Sequence, residues 1–318
     1  LHSEGRFDAM MGLGGSGGSS LLSAAMQALP IGVPKLMVST LACGDTRSFI
    51  GGHDIMMMYP VVDIAGINSI SEKVFANAGN AIAGMAKGVR ATEPRESRPV
   101  IGASQFGVTT QCVNAARERL ESLGYEVLVF HSAGTGGRSM EALIRDGLID
   151  GVLDVTTTEL ADEMIGGIHN AGPDRLEAAG ARGIPQVVSV GALDMCDFGP
   201  KGTVPERFAK RKLYAHNPNV TLMRTTPEEN RKLGQLISRK LNAANGPVEL
   251  FIPLGGVSSI DLPGKPFHDP EADQALFKEL RETIDSNVVR VKEFGSDIND
   301  PAFGQAMADA LHTLMGQH

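Results

Sequence analysis

The chain has 318 residues, is 42% hydrophobic and 21% charged, and carries a formal charge of −8 at pH 7 with a pI near 5.5. That is a soluble globular balance with room for about two domains, and its acidity excludes nucleic acid and anionic membrane as main partners, since both attract basic faces. No run of about twenty apolar residues could span a bilayer.

Three widely spaced cysteines, Cys43, Cys112 and Cys196, suit reduced thiols in a cytoplasm better than a disulfide framework or a zinc site. The first residue is Leu1, not Met, and there is no signal peptide, so the chain reads as a processed piece or one whose start is absent.

In chain order, FDAMMGL predicts a buried strand, followed by the glycine-rich turn GLGGSGGSS (12–20) and the helix SSLLSAAMQAL. PKLMVSTLA is a second apolar strand, ended by CGDTRSFIGG. DIMMMYPVVDIAG is a third, broken by Pro60, and SISEKVFANAGNAIAGMAKGV is a long amphipathic helix. ATEPRESRP (91–99), polar with two prolines, is the best domain boundary, giving lobes at 1–92 and 98–318.

The alternation then restarts. RPVIGAS, EVLVFHS, GVLDVTT, PQVVSVGALDM, VELFIPLGG and VVRVKEF read as strands. VTTQCVNAARERLESLG, SMEALIRDG, ELADEMIGG, TTPEENRKLGQLISRKLNAA, EADQALFKELRETI and DPAFGQAMADALHTLM read as helices, and YAHNPNVTLMR precedes the fourth of them. Thr226, Pro227 and Glu229 form a capping box with proline at the first helical position. Short apolar strands alternating with helices predict α/β architecture: two Rossmann-like, doubly wound lobes with mostly parallel sheets.

Ligands of such sheets bind beyond the carboxyl ends of the strands, so the turns there carry the functional reading. In the first turn, glycines let backbone amides at a helix start approach an anion, with Ser16, Ser19 and Ser20 adding hydroxyls. The chemistry is phosphate binding, against the plainer reading of a tight turn that needs glycine for packing. No lysine precedes Lys35, so this is not a P-loop of the usual kind. Gly12, Gly14 and Gly17 satisfy G-x-G-x-x-G, but no acidic residue ends the next strand to take a ribose hydroxyl.

In the second turn Asp45 is a candidate for Mg2+ or a ribose hydroxyl, Thr46 and Arg47 for phosphate. Cys43 reads as a small buried thiol rather than a nucleophile, and His53–Asp54 as only half a metal site. SAGTGGRS (132–139) is a further anion-friendly turn. Ser104, Thr109, Asp154 and the Thr156–Glu159 run close other strands, with helix capping as their plainer reading. His216, Thr221 and Arg224 follow. PLGGVSSIDLPGKPFHDP (253–270) brings Asp261, His268 and Asp269 into a long loop, and long loops inside domains are commonly functional. Its opening echoes GLGGSGGSS, as a duplicated lobe would.

GLGGSGGSS, STLACGDT, YPVVDIAGIN, GTGGRSMEALI, HNPNVTLMRTT and PLGGVSSIDLPGKPFHDP occur in an order that resembles the ATP-binding family named after the tomato mosaic virus resistance protein. The resemblance implies two Rossmann-like lobes, ATP with Mg2+ bound in the first, and a homodimer. It places Gly14, Gly15, Ser16, Gly17, Gly18 and Ser19 as the phosphate cradle, with Asp45 and Thr46 across the crevice. Family members usually start with a further strand–helix unit bearing a Thr-x-Asp-Thr-Lys-like turn, which nothing here matches. Its bacterial members often accompany a barrel domain resembling phosphoenolpyruvate-using enzymes.

The leading expectation is a cytoplasmic ATP-binding protein with weak or partner-dependent ATP use. The alternatives are a metabolic enzyme, with Asp45, His216, Asp261 and His268 acting on a small phosphorylated or carboxylated metabolite between the lobes, and a regulatory dimer set by nucleotide.

Overall fold

Strand β2 (Lys35–Ser39) is buried at all five positions, and its alternation decides the architecture around it. In the computed structural model, which describes residues 1–2, 4–89 and 98–317, the chain separates into two compact units, Leu1–Ser97 and Arg98–His318. Most of the segment read as the boundary, 91–97, lies outside the described residues.

In the first unit, β1 (Met10–Gly14), β2 and β3 (Ile55–Met58) form a parallel sheet in that order, with Gly14 opposite Ser39 and Val38 opposite Met58. One face of β2 sends Met37 against Met26 of α1 (Ser16–Gln27). The other sends Leu36 and Val38 against Phe75 and Ala78 of α3 (Ser71–Val89). A short α2 (Arg47–Ile50) lies between β2 and β3. Lys35 is buried with its Nζ 2.6 Å from Asp54 Oδ1 and 2.7 Å from the Pro30 carbonyl, so Asp54 is the partner of a lysine rather than half a metal site.

The second unit holds a six-stranded parallel sheet: β4 (Val100–Gln105), β5 (Glu126–His131), β6 (Gly151–Thr156), β7 (Gln186–Gly191), β11 (Val248–Pro253) and β12 (Val289–Phe294). The spatial order is β12-β11-β7-β6-β4-β5, so the chain steps outward from β4 to β5 and then reverses to β6. This is a doubly wound, Rossmann-like sheet whose switch point lies between β4 and β6.

Its two faces carry separate cores. Ile101, Ala103, Leu153, Val155 and Val187 pack against α4 (Thr110–Ser122) and α10 (Pro301–Gln317). Val188, Val190, Leu250 and Ile252 pack against α8 (Pro227–Asn242) and α9 (Pro270–Thr283). Met140 and Ile144 of α5 (Thr135–Arg145) cover Val152 on the same side as Ala178 of the short α7 (Ala178–Arg182). α6 (Glu159–Ile165) follows β6. The predicted capping box closes α8: Glu229 N donates to Thr226 Oγ1 at 3.2 Å and Thr226 N to Glu229 Oε2 at 2.7 Å.

One expectation needs correction. PQVVSVGALDM is not one strand: β7 stops at Gly191, Ala192 turns with φ +58°, and β8 (Met195–Phe198) leaves the main sheet. YAHNPNVTLMR is a hairpin, β9 (Leu213–Asn217) and β10 (Val220–Arg224), turned where Asn217 Oδ1 accepts Asn219 N. β8, β10 and β9 pair antiparallel as a side sheet, which alternating apolar runs did not foretell.

The echo between the two Gly-Gly segments does not extend to structure either. GLGGSGGSS enters α1 at Ser16, whereas no regular helix or strand covers residues 254–269. A Cβ on Gly255 would sit 2.6 Å from the Asp297 backbone nitrogen, so that glycine serves a close chain crossing.

Candidate functional site

The glycines of the first turn divide into two kinds. A Cβ on Gly12 would meet Leu22 at 2.5 Å, and one on Gly14 would meet the Gly18 backbone at 2.9 Å, so these two let α1 lie close on β1. Gly15, Gly17 and Gly18 are not constrained in that way; a Cβ on Gly17 would meet nothing within 4 Å beyond its own turn of helix.

Ser16, Gly17 and Gly18 are the first helical residues, and their N–H groups have no acceptor among the described residues. The first turn of α1 has no acidic residue to offset its positive end. The Ser19 amide returns to Gly15 O at 2.8 Å, and its buried hydroxyl lies 2.6 Å from Ser39 Oγ and 3.3 Å from Gly14 O. Ser19 therefore ties the turn to β2, and the open donors are the three amides before it.

Asp45 is exposed and locked to Arg47, whose Nη2 donates to Oδ2 at 2.6 Å and Nε to Oδ1 at 2.9 Å. The Arg47 hydrogen bonds pull its carboxyl down to about 2, so it is charged throughout the neutral range. Thr46 precedes α2 without capping it through its side chain. Cys43, read as a buried thiol, is exposed; the loop after β2 carries it outward, with Sγ 3.5 Å from the Thr40 carbonyl.

The anion-friendly turn of the second unit already holds an anion of its own. Gly134 N and Gly137 N both donate to Glu159 Oε1, at 2.8 and 3.1 Å. Glu159 Oε2 accepts from Arg175 Nε at 2.7 Å, and Arg175 forks onto Asp154 at 2.5 and 2.7 Å. Arg175 is fully buried, and Glu141 closes the set by accepting the amides of Leu176 and Ala178. Ser104 Oγ donates to Asp154 Oδ1, and Thr109 Oγ1 meets Thr156 Oγ1 at 2.8 Å. Thr158 occupies the start of α6 without a side-chain cap bond. These residues form a buried support beneath the switch point.

Asp261 belongs to a second buried network. Arg224 Nη2 donates to Asp273 at 2.6 Å and to Asp261 at 3.3 Å, and Ser258 Oγ donates to Asp194 at 2.8 Å. Burial first, then the charges of Asp194 and Asp273, push Asp261 up to about 8; burial pushes Asp194 up to about 6. The long loop is pinned here, with Arg224 Nε on the Phe267 carbonyl and Ser259 N on the Val108 carbonyl. His268 follows Phe267 in that loop. His216 lies apart from this network, exposed on β9.

Sequence reasoning passed over a third cluster. Phe106, directly after β4, stacks on His131 at the end of β5 (5.4 Å, 27°) and meets His169 edge-on (5.9 Å, 71°). His169 Nδ1 lies 3.5 Å from Oδ1 of Asp197 on β8, which is fully buried. The one signal in the sequence was the acid itself: LDMCDF sets Asp194 and Asp197 among apolar residues, where an acid is rare without a purpose.

Two family descriptions cover the chain. The Uncharacterised protein family (UPF0261) N-terminal domain matches residues 1–91, and the UPF0261 C-terminal domain matches residues 98–315. The chain belongs to the UPF0261 family. It is 56% identical over 315 residues to a UPF0261 protein of Clostridium tetani, covering 99% of this chain and 78% of that protein. It is 49% identical over 307 residues to the ToMV resistance protein Tm-1(GCR237) of Solanum lycopersicum, covering 95% of this chain but 41% of the tomato protein. UPF0261 protein mlr3387 of Mesorhizobium japonicum is 49% identical over 304 residues, covering 95% of this chain and 76% of that protein. No helix among the described residues is long and apolar enough to cross a membrane.

Proposed function

We propose that this UPF0261 chain is a nucleotide-binding protein that seats the phosphates of ATP, with Mg2+, on the amides of Ser16, Gly17 and Gly18. The observation that carries this reading is the set of three acceptor-free amides at a helix start, beside a glycine with open space above it. The residues fit a triphosphate because Gly15 and Gly18 add no bulk and the helix end keeps its positive character. Among the described residues no group of three or more His, Cys, Asp or Glu is placed to hold a metal. Magnesium would therefore ride mainly on phosphate oxygens and water, as it commonly does, with Asp45 as the charged carboxylate the loop offers.

The absence of a Walker-type lysine favours slow or partner-dependent ATP use over rapid hydrolysis. A homodimer is part of the reading, supported by the apolar residues this unit exposes, among them Leu21 (75% exposed) and Ile67 (74%). Titration calorimetry with ATP and Mg2+ tests the proposal. Wild type should bind, and Gly17→Val, whose Cβ would meet nothing within 4 Å, should weaken binding at least about tenfold. Equal binding by both proteins, or no heat with the intact turn, ends it.

A further inference from the structure

We propose that the crevice beyond the carboxyl ends of β4, β5 and β6 is a second binding site, in which His169, positioned by Asp197, takes a proton from a planar, uncharged or cationic ligand seated against Phe106 and His131. The site lies wholly in the second unit and stands independently of nucleotide binding in the first.

Position comes first: Phe106 directly follows β4, which borders the switch point where doubly wound sheets bind ligands, and His131 ends β5, the next strand outward. The second observation is an orphaned carboxyl group. Neither carboxylate oxygen of Asp197 has a hydrogen-bond partner among the described residues, although the side chain is fully buried. A buried carboxylate left so is costly unless a donor completes it. The nitrogen facing it is Nδ1 of His169, 3.5 Å away and itself buried without a hydrogen-bond partner among the described residues. The His169 side chain is 19% exposed, so the imidazole stands between a buried acid and the crevice.

Asp162 sharpens the arrangement. Its Oδ1 accepts the Asp197 amide at 3.0 Å, and burial, then the neighbouring Asp197 carboxyl, raises its own carboxyl well above the usual carboxylate range. With Nδ1–H turned to Asp197, the Nε2 lone pair is the base. In the step, the ligand's X–H bond breaks heterolytically and its proton bonds to Nε2. The electron pair stays on X, and Asp197 stabilises the resulting imidazolium. Return of the proton regenerates the ring.

Charge and shape set the ligand class. Arg138 is spent on Asn170, at 3.0 Å to Oδ1, and Arg175 on Asp154 and Glu159. No cation is left over from these two to meet a phosphate or carboxylate, and two aspartates stand behind the ring. The Phe106–His131 stack is a flat platform that suits a planar group.

The test uses the 15N-labelled full chain at about pH 8, above the ordinary histidine range. Long-range proton–nitrogen correlation should find His169 as the Nδ1–H tautomer, while exposed His216 shows the Nε2–H form usual in free histidine. Phenol, a planar O–H acid, should shift the His169 and His131 ring signals saturably, and benzoate at equal concentration should not. Asp197→Asn should return His169 to Nε2–H. If that variant does not fold, Phe106→Ala should keep the tautomer and lose the phenol response. An Nε2–H ring in the wild type overturns the proposal, as does no phenol response, or a benzoate response as large as that to phenol.

Discussion

Gly137 and Glu159 meet through a 3.1 Å hydrogen bond from the glycine amide to a buried carboxylate oxygen, 22 residues further along the chain. A Cβ at Gly137 would fall directly on that carboxylate. Gly137→Ala should therefore destabilise the second unit by about 2–4 kcal/mol, through displacement of a buried charge from its donors. Urea denaturation followed by far-UV circular dichroism measures it; a midpoint unchanged from wild type would show that the turn does not need its internal anion.

Arg175 serves three carboxylates at once. Its replacement by Met fills similar space but leaves Asp154, Glu159 and Glu141 buried without their shared cation. The expected loss is about 3–5 kcal/mol or failure to fold. A variant as stable as wild type would mean that the carboxylates are neutralised by other means.

Asp261 predicts a pH effect with a definite sign. Its folded value, about 8, lies above the unfolded carboxylate value of about 4, so its contribution is fully present below pH 4 and is lost as pH rises through 8. Asp261→Asn keeps a neutral side chain at every pH. Its melting temperature should fall less steeply than that of wild type between about pH 5 and pH 8.5, so the variant gains relative stability as pH rises. Parallel curves across that window would contradict the assignment.

The cysteines separate by exposure. Cys43 is exposed, whereas Cys112 and Cys196 are buried, and burial pushes the Cys112 thiol up to about 12 and Cys196 higher still. Iodoacetamide should label one thiol in the native chain and all three after unfolding. Mass spectrometry of the labelled peptides reads this directly, and native labelling at Cys112 would count against the packing described.

Much of the frame was readable because it follows from periodicity. Short apolar runs such as KLMVS and GVLDVT are buried on both faces, and helices between them enforce parallel pairing. The Thr226 capping box was equally legible, since its residues are local and their donors and acceptors pair by spacing alone. What escaped depended on contacts across long separations. Glycines at 134–137 announce a nest for an anion, but nothing nearby says that Glu159 supplies it. His169 and Asp197 meet only because β8 departs from β7 to join β10 and β9, a turn set at Ala192 rather than by an apolar pattern. Ser19 was read as a ligand donor because hydroxyl and glycine recur there; its bond to Ser39 depends on the neighbouring strand.

The side sheet of β8, β10 and β9 is a detour in the chain between β7 and β11, and it supplies both Asp197 and Arg224. Two buried charged side chains of this unit are thus lodged on an annex, while the parallel cores rest on the six main strands. A change confined to that annex would therefore leave the pairing of the six parallel strands standing.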